Sequence, residues 1–205
     1  MIGLVDYGMG NLRSVFNAVE SLGFEISLAE NEPQVRAVDR LILPGVGSYA
    51  KAVENLRKQG LDAGIREHVQ SGKPLLGICL GMQVLSTIGN EPARCEGLDI
   101  VPGEVELMEV PPGHRLPHVG WNTIRLTRSH PLFHATKSNA DLYFVHSYHF
   151  RAGDSRDVLA ETDYGTRFIS VVARRNVVGV QFHPEKSQAT GLKILANFCE
   201  WDGAC

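Results

Sequence analysis

The first ninety residues alternate between short, mainly apolar runs and longer segments whose apolar residues recur at helical spacing. The apolar runs cover residues 2–5, 24–28, 41–43 and 75–78, and the helical segments include 11–22, 49–57 and 64–70. Brief buried strands separated by helices are typical of parallel sheets, because a parallel connection needs a crossover. The pattern therefore predicts an α/β fold with three layers: a mostly parallel sheet with helices on both faces.

After Asn90 the pattern changes to alternating residues interrupted by proline and glycine, which predicts an antiparallel extension. We expect strands within 101–127 and at 142–150, 158–162, 168–173 and 177–182, and a closing helix over 189–201. The chain has 205 residues, of which 43% are hydrophobic, so it can bury one substantial core. We expect a single domain over residues 1–205.

Charge and cysteine usage exclude several classes of partner. The 20 basic and 23 acidic residues leave a formal charge of -3, so we expect neither nucleic acid nor a membrane surface as partner. The uncharged run 74–90 is shorter than a bilayer-spanning helix, and the start of the chain lacks the pattern of a secretion signal. The four cysteines form no C-x-x-C pair, so we expect no metal, no cofactor and a reduced, cytoplasmic setting.

The pentapeptide Gly77-Ile78-Cys79-Leu80-Gly81 follows a predicted strand and precedes a predicted helix over 82–88. It matches the nucleophile elbow G-x-nucleophile-x-G, with cysteine in place of serine. Such a turn exposes the sulfur at the helix N-terminus, which favours thiolate over thiol. A free cysteine is more often a small buried hydrophobe, and that interpretation holds for Cys95, Cys199 and Cys205. For Cys79 the flanking glycines favour a nucleophile over a buried hydrophobe.

A thiol nucleophile needs a base, and eight histidines are available. Pro184 biases His183 towards an extended conformation, in which residues i and i+2 point the same way, so His183 and Glu185 can face one site together. We expect His68 and His114 to be solvated surface residues. His146 and His149 flank Ser147-Tyr148, and either a substrate-binding wall or a capped strand end would explain them.

Attack on an amide carbon needs N–H donors for the developing oxyanion. The Leu80 amide is one candidate, and the loop after residues 41–43, bracketed by Gly45 and Gly47, is a suitable source of the second. Residues 45–50 also fit the dinucleotide fingerprint G-x-G-x-x-A. We rank that alternative lower because the loop follows the third strand, and the first loop breaks the same pattern at Arg13.

Taken together, these motifs resemble the class I glutamine amidotransferases, and most specifically the glutaminase subunits of imidazole glycerol phosphate synthase. The likeness spans nearly the whole chain. It is carried by the segments DYGMGNL at residues 6–12, LPGVG at 43–47, GICLGMQ at 77–83, GWN at 120–122, FVHSY at 144–148 and FHPEKS at 182–187.

The resemblance implies that Cys79 attacks the side-chain amide of L-glutamine, releases ammonia and forms a glutamyl thioester, which water hydrolyses with His183 as base and Glu185 as its partner. It implies the Val46 and Leu80 amides as the oxyanion hole. The residues expected to hold glutamine are Gly47, Gln83, Ser147 and Tyr148, with Gly45 and His146 beside them.

The same resemblance implies a heterodimer with a (β/α)₈ cyclase that uses the ammonia to form imidazole glycerol phosphate and AICAR in histidine biosynthesis. It places Asn11, Trp121 and Lys186 at the docking face, and the lower-ranked alternative for Trp121 is ordinary core packing. Three alternatives stay open: a glutaminase subunit that serves a surface-sugar amidotransferase, a stand-alone cysteine hydrolase, and a catalytically idle protein that regulates a synthase.

Overall fold

The computed structural model describes residues 1–137 and 139–204, so the structural role predicted for Cys205 lies outside the described residues. The helices are α1 Leu12–Ser21, α2 Glu32–Ala37, α3 Tyr49–Lys58, α4 Leu61–Gln70, α5 Leu80–Gln83 and α6 Gln188–Glu200. The strands are β1 Ile2–Val5, β2 Ile26–Ala29, β3 Arg40–Leu43, β4 Leu75–Ile78, β5 Ile88–Gly89, β6 Cys95–Glu96, β7 Gly103–Leu107, β8 His118–Thr123, β9 Arg125–Leu126, β10 Asp141–His146, β11 Tyr148–Ala152, β12 Val158–Tyr164, β13 Thr166–Arg174 and β14 Val177–Val180. Short 3₁₀ turns cover Pro131–Phe133, Ser155–Asp157 and Pro184–Lys186.

One large sheet runs through the described chain, in the order β2-β1-β3-β4-β14-β13-β11-β7-β5-β6. The first five strands pair in parallel, and the strands from β14 through β13 and β11 to β7 pair antiparallel. Strand β12 extends this half beside β13, while β8 and β10 form a separate antiparallel pair. The predicted parallel sheet with an antiparallel extension is confirmed.

Helices cover both faces of the parallel half, as predicted. On one face, α1 packs beside α6, and apolar residues of both helices share a core with Leu4, Ile42 and Leu76. On the other face, α2, α3 and α4 pack over Leu41 and Leu43. Alternate residues of one strand enter opposite cores because side chains of a strand point to opposite faces in turn. The structure therefore has three layers.

Two predictions were wrong. The helix expected over 82–88 ends at Gln83, because the loop that follows donates the Leu98 and Ile100 N–H groups to the Val84 and Leu85 carbonyls, which a continuing helix would need. His68 is buried, not solvated: its ring lies 3.1 Å from the Pro74 carbonyl and 3.3 Å from that of Val35, and so ties α4 to neighbouring segments.

Candidate active site

Cys79 lies on a strained turn between β4 and α5, with φ 54° and ψ -111°. The chain can make this turn because glycines flank it. A β-carbon on Gly81 would lie 1.8 Å from the Leu43 carbonyl oxygen, and one on Gly77 would lie 2.8 Å from the Gly81 carbonyl oxygen. A side chain at either position would collide with backbone. The Cys79 backbone is thus held in a conformation that non-glycine residues rarely adopt.

His183 and Glu185 form the buried ion pair that the His-Pro-Glu spacing predicts. His183 Nδ1 lies 2.8 Å from Glu185 Oε1, and the two side chains are 2% and 1% exposed. The His183 N–H donates to the Tyr143 carbonyl at 2.8 Å, which fixes the backbone just before the turn Pro184–Lys186. The carboxylate therefore orients the imidazole through Nδ1 and leaves Nε2 available for other chemistry.

The second ring nitrogen belongs to a side chain that lines the same cavity as Cys79. Within residues 1–137 and 139–204, His183 Nε2 is buried without an aligned hydrogen-bond partner. Burial would lower the pKa of His183, but the Cys79 sulfur and the Glu185 carboxylate outweigh burial and raise that pKa well above its ordinary value. The site thus favours an imidazolium beside sulfur. A loose resting contact that tightens with substrate is common in free enzymes.

These groups open onto a cavity of about 330 Å³. It contains nine of the residues predicted for the triad, the oxyanion hole or the substrate, namely Val46, Gly47, Cys79, Leu80, Gln83, His146, Ser147, Tyr148 and His183. The other lining residues are Glu91, Pro117 and Val145. Glu185 lies behind His183 and does not line the cavity. Apart from Gly45, Glu185 and the docking face, the predicted site residues are therefore gathered around one opening.

The loop predicted to supply the second oxyanion donor, residues 44–48 and here called the oxyanion loop, lies beside the elbow. Leu80 is the first residue of α5, so its N–H is one of those that a helix leaves without an intrahelical partner. Val46 is 40% exposed in the loop that follows β3. Gly45 packs behind the elbow rather than in the cavity, because its β-carbon would lie 2.9 Å from the Gly81 nitrogen. Gly47 needs its φ of 109°, which side chains rarely adopt.

One polar residue of the wall, His146, is held by internal hydrogen bonds. His146 Nδ1 lies 2.8 Å from the Tyr148 carbonyl, and its Nε2 lies 3.1 Å from His118 Nδ1. Because burial lowers the pKa of His146 to about 3, the ring is neutral and shapes the wall. His149 is turned away from the cavity, with Nε2 3.6 Å from Glu106.

Sequence reasoning missed three residues at this site. The Tyr7 hydroxyl, fully buried, donates to the Pro44 carbonyl at 2.8 Å and supports the oxyanion loop. Glu91 brings a carboxylate to the cavity wall. Gln181 lies with Nε2 3.6 Å from the Cys79 sulfur. For Gln181 a signal existed, because it precedes His183 by two residues in an extended segment and so shares its direction.

Two of the residues predicted for a docking face, Trp121 and Lys186, are exposed and both lie beside Tyr143. Trp121 is 49% exposed, so it does not belong to the core, and its ring meets Tyr143 edge-on at 6.0 Å. Lys186 Nζ lies 5.9 Å from the same tyrosine ring. Asn11 precedes α1, which packs on the turn that carries Lys186. None of the helices among the described residues is long and apolar enough to cross a bilayer.

Comparisons with known proteins show the family of this chain. The family model "Glutamine amidotransferase class-I" matches residues 3–201. The "Imidazole glycerol phosphate synthase subunit HisH" of Moorella thermoacetica is 45% identical and covers 97% of this chain and 94% of its own length. The protein of the same name from Salinibacter ruber is 44% identical over 97% of this chain and 93% of its own.

Solved structures support the fold. "Structure of PurLQS from Thermotoga maritima" superposes with a TM-score of 0.78 at 20% identity and covers 97% of both chains. A "Crystal structure of glutamine amidotransferase" gives 0.75, also at 20% identity, over 98% of this chain and 99% of its own. The family model and the close relatives together decide the assignment. The chain belongs to the class-I glutamine amidotransferases and, within them, to the family of imidazole glycerol phosphate synthase subunit HisH.

Proposed function

We propose that this protein is the glutaminase subunit of imidazole glycerol phosphate synthase and that Cys79, His183 and Glu185 carry its chemistry. One observation carries the proposal: a cysteine on a strained elbow shares a cavity with an imidazole that a buried carboxylate orients. The large sheet runs from β1 to β14 and α6 packs back on α1, which supports one domain over the whole chain.

In the proposed reaction, the Cys79 thiolate attacks the side-chain carbonyl carbon of glutamine and the carbonyl π electrons move to oxygen. The imidazolium of His183 gives its proton to the departing nitrogen, the C–N bond breaks, and ammonia leaves a glutamyl thioester. His183, now neutral, takes a proton from water, whose oxygen attacks the thioester. Glutamate leaves and the thiolate is restored.

The oxyanion of both tetrahedral intermediates is assigned to the N–H groups of Leu80 and Val46. Removal of one such donor typically lowers kcat by about 10²–10³. Gly47, Ser147 and Tyr148 line the cavity where the amino-acid end of glutamine would lie, with Gln83 and His146 in the wall behind. Glu91 is the only acidic side chain in that lining, so it suits the α-ammonium group.

Ammonia must reach an acceptor before water protonates it, which favours a docked synthase. The relatives carry the imidazole glycerol phosphate synthase name, which supports a (β/α)₈ cyclase over a surface-sugar synthase as the partner. We assign Asn11, Trp121 and Lys186 to that interface. Cys79, Cys95 and Cys199 are free thiols, which favours a reducing cytoplasm.

Labelling with a diazoketone analogue of glutamine tests the site. We expect one label per chain, mapped to Cys79, in the wild type and in Cys95→Ala, and none in Cys79→Ala. A wild-type chain left unlabelled would overturn the glutaminase assignment and favour an idle regulatory protein. Full hydrolysis without a cyclase, with tolerance of acyl groups larger than glutamine, would instead identify a stand-alone hydrolase.

A further inference from the structure

The side chain of Gln181 lies against the sulfur of Cys79. Its residue is fully buried, its Nε2 lies 3.6 Å from Cys79 Sγ, and its Oε1 accepts from Gln83 Nε2 at 3.0 Å. The sulfur also lies 3.8 Å from the Val145 carbonyl, to which a neutral thiol donates. The thiol can therefore donate to Val145 and accept from Gln181 at the same time.

The direction of the Gln181 amide is fixed by its neighbours. The Tyr148 carbonyl can only accept, so Gln83 must turn its NH₂ group towards it, at 3.0 Å. That same NH₂ group faces Gln181, which must therefore present its oxygen to Gln83. The NH₂ group of Gln181 is left facing the sulfur. A chain of two amides thus runs from a backbone carbonyl of the cavity wall to the nucleophile.

From this chain we propose that Gln181 is a catalytic N–H donor to Cys79 that stabilises its thiolate. The inference rests on the proposed function, in which Cys79 is the nucleophile. A thiolate accepts hydrogen bonds more strongly than a thiol or a thioester sulfur, because its charge is localised on the acceptor. The donor therefore acts at the two stages of the cycle in which the sulfur is anionic. The first is before the sulfur attacks glutamine, and the second is when the sulfur leaves during hydrolysis of the thioester.

A neutral amide does something that His183 cannot do. The imidazolium of His183 gives its proton to the departing nitrogen during the first half of the cycle. His183 is therefore not a cation beside the sulfur at every stage of the cycle. The Gln181 amide keeps its proton at every stage. It also lies on the segment that connects β14 to His183, so donor and base are positioned by the same backbone.

The experiment is the pH profile of iodoacetamide alkylation, with the modified residue mapped by mass spectrometry. Gln181→Met keeps a similar volume but removes the donor. We expect its midpoint of alkylation to rise by about one pH unit, and the rate at pH 7 to fall about tenfold, as for the loss of one hydrogen bond to a charged group. Gln181→Glu keeps an acceptor for Gln83, removes the donor and adds a negative charge beside the sulfur, so it should shift the midpoint further in the same direction.

Ser170→Ala is the matched control. The Ser170 carbonyl accepts from the Gln181 N–H at 2.9 Å, and its fully buried side chain can be trimmed without changing that bond. We expect its alkylation profile to match the wild type. If Gln181→Met fails to fold, Gln181→Leu, which also removes the donor and adds no charge, gives the answer.

The outcomes separate the two proposals. If Cys79 of the wild type resists alkylation across the whole pH range, the proposed function fails. If the wild type reacts and both Gln181 variants keep its midpoint, the function stands and the donor role of Gln181 is overturned. A shift in Ser170→Ala equal to that of the Gln181 variants would also overturn it, because packing alone would then explain the effect.

Discussion

The N–H group of Cys79 donates a 2.8 Å hydrogen bond to the carbonyl of Val180. It continues the parallel ladder of β4 and β14, in which Ile78 stands opposite Val180. Two strands about a hundred positions apart in sequence therefore end side by side at one sheet edge. The residues that leave β14, Gln181 and His183, are placed next to the residue that leaves β4.

Glu185→Gln should lower glutamine turnover about 10²-fold or more while changing KM little, because the carboxylate orients the imidazole and does not bond to substrate. It should also lower the pKa of His183, which that carboxylate helps to raise. Steady-state kinetics and NMR titration of the ring nitrogens measure both effects. Glu106→Gln removes the carboxylate beside His149 and serves as control. Equal losses in the two variants would contradict the assigned role.

Tyr7→Phe should reduce both stability and turnover. The variant leaves the Pro44 carbonyl without its buried donor, which costs about 1–3 kcal/mol of unfolding free energy. It also loosens the oxyanion loop, so we expect about tenfold slower glutamine hydrolysis. Tyr49→Phe is the matched control, because it removes an equally buried hydroxyl bond, to Ser86, elsewhere. Turnover that falls equally in both variants would show that the loop does not depend on Tyr7.

Glu91→Gln should raise KM for glutamine by about ten- to a hundredfold with a small change in kcat, because a charge-assisted bond to the α-ammonium is lost from ground and transition states alike. Burial raises the pKa of Glu91, so KM of the wild type should also rise as the pH falls and the carboxylate protonates. Glu96→Gln, on an exposed side chain, is the control. An unchanged KM would exclude Glu91 from the substrate site.

The free energy of unfolding should fall as the pH drops from 7.5 to 5. Burial lowers the pKa of His146 to about 3 and those of His118 and His130 to about 4. In the unfolded chain these three histidines bind protons below about pH 6.5, whereas in the folded protein they stay neutral. The stability that they contribute is therefore complete above that pH and is lost below it. His146 alone accounts for about 2 kcal/mol over this range.

His183 acts in the opposite sense, because its pKa is raised: its contribution is full below about pH 6.5 and is lost as the pH rises through the folded-state value. Three buried neutral rings outweigh it between pH 5 and 7.5. Urea unfolding at the two pH values measures the net change, and His118→Phe should flatten the slope. Stability that rises towards pH 5 would contradict the prediction.

Much of the local structure could be predicted from the sequence because its causes are local. Glycines on both sides of Cys79 permit the elbow, and the proline after His183 sets an extended backbone that turns His183 and Glu185 the same way. The predicted helix does not continue beyond Gln83, and the cause of its end is not local. A loop that is close only in space takes the carbonyl groups of Val84 and Leu85.

The sequence by itself determined the alternation of strands and helices, the elbow and the base with its carboxylate, since each depends on neighbours a few residues apart. Only the tertiary structure decided that β14 lies beside β4, that Tyr7 supports the oxyanion loop and that Gln181 faces the sulfur. Strand order joins distant segments through backbone hydrogen bonds that every residue except proline can both donate and accept, so no side-chain pattern along the chain encodes it.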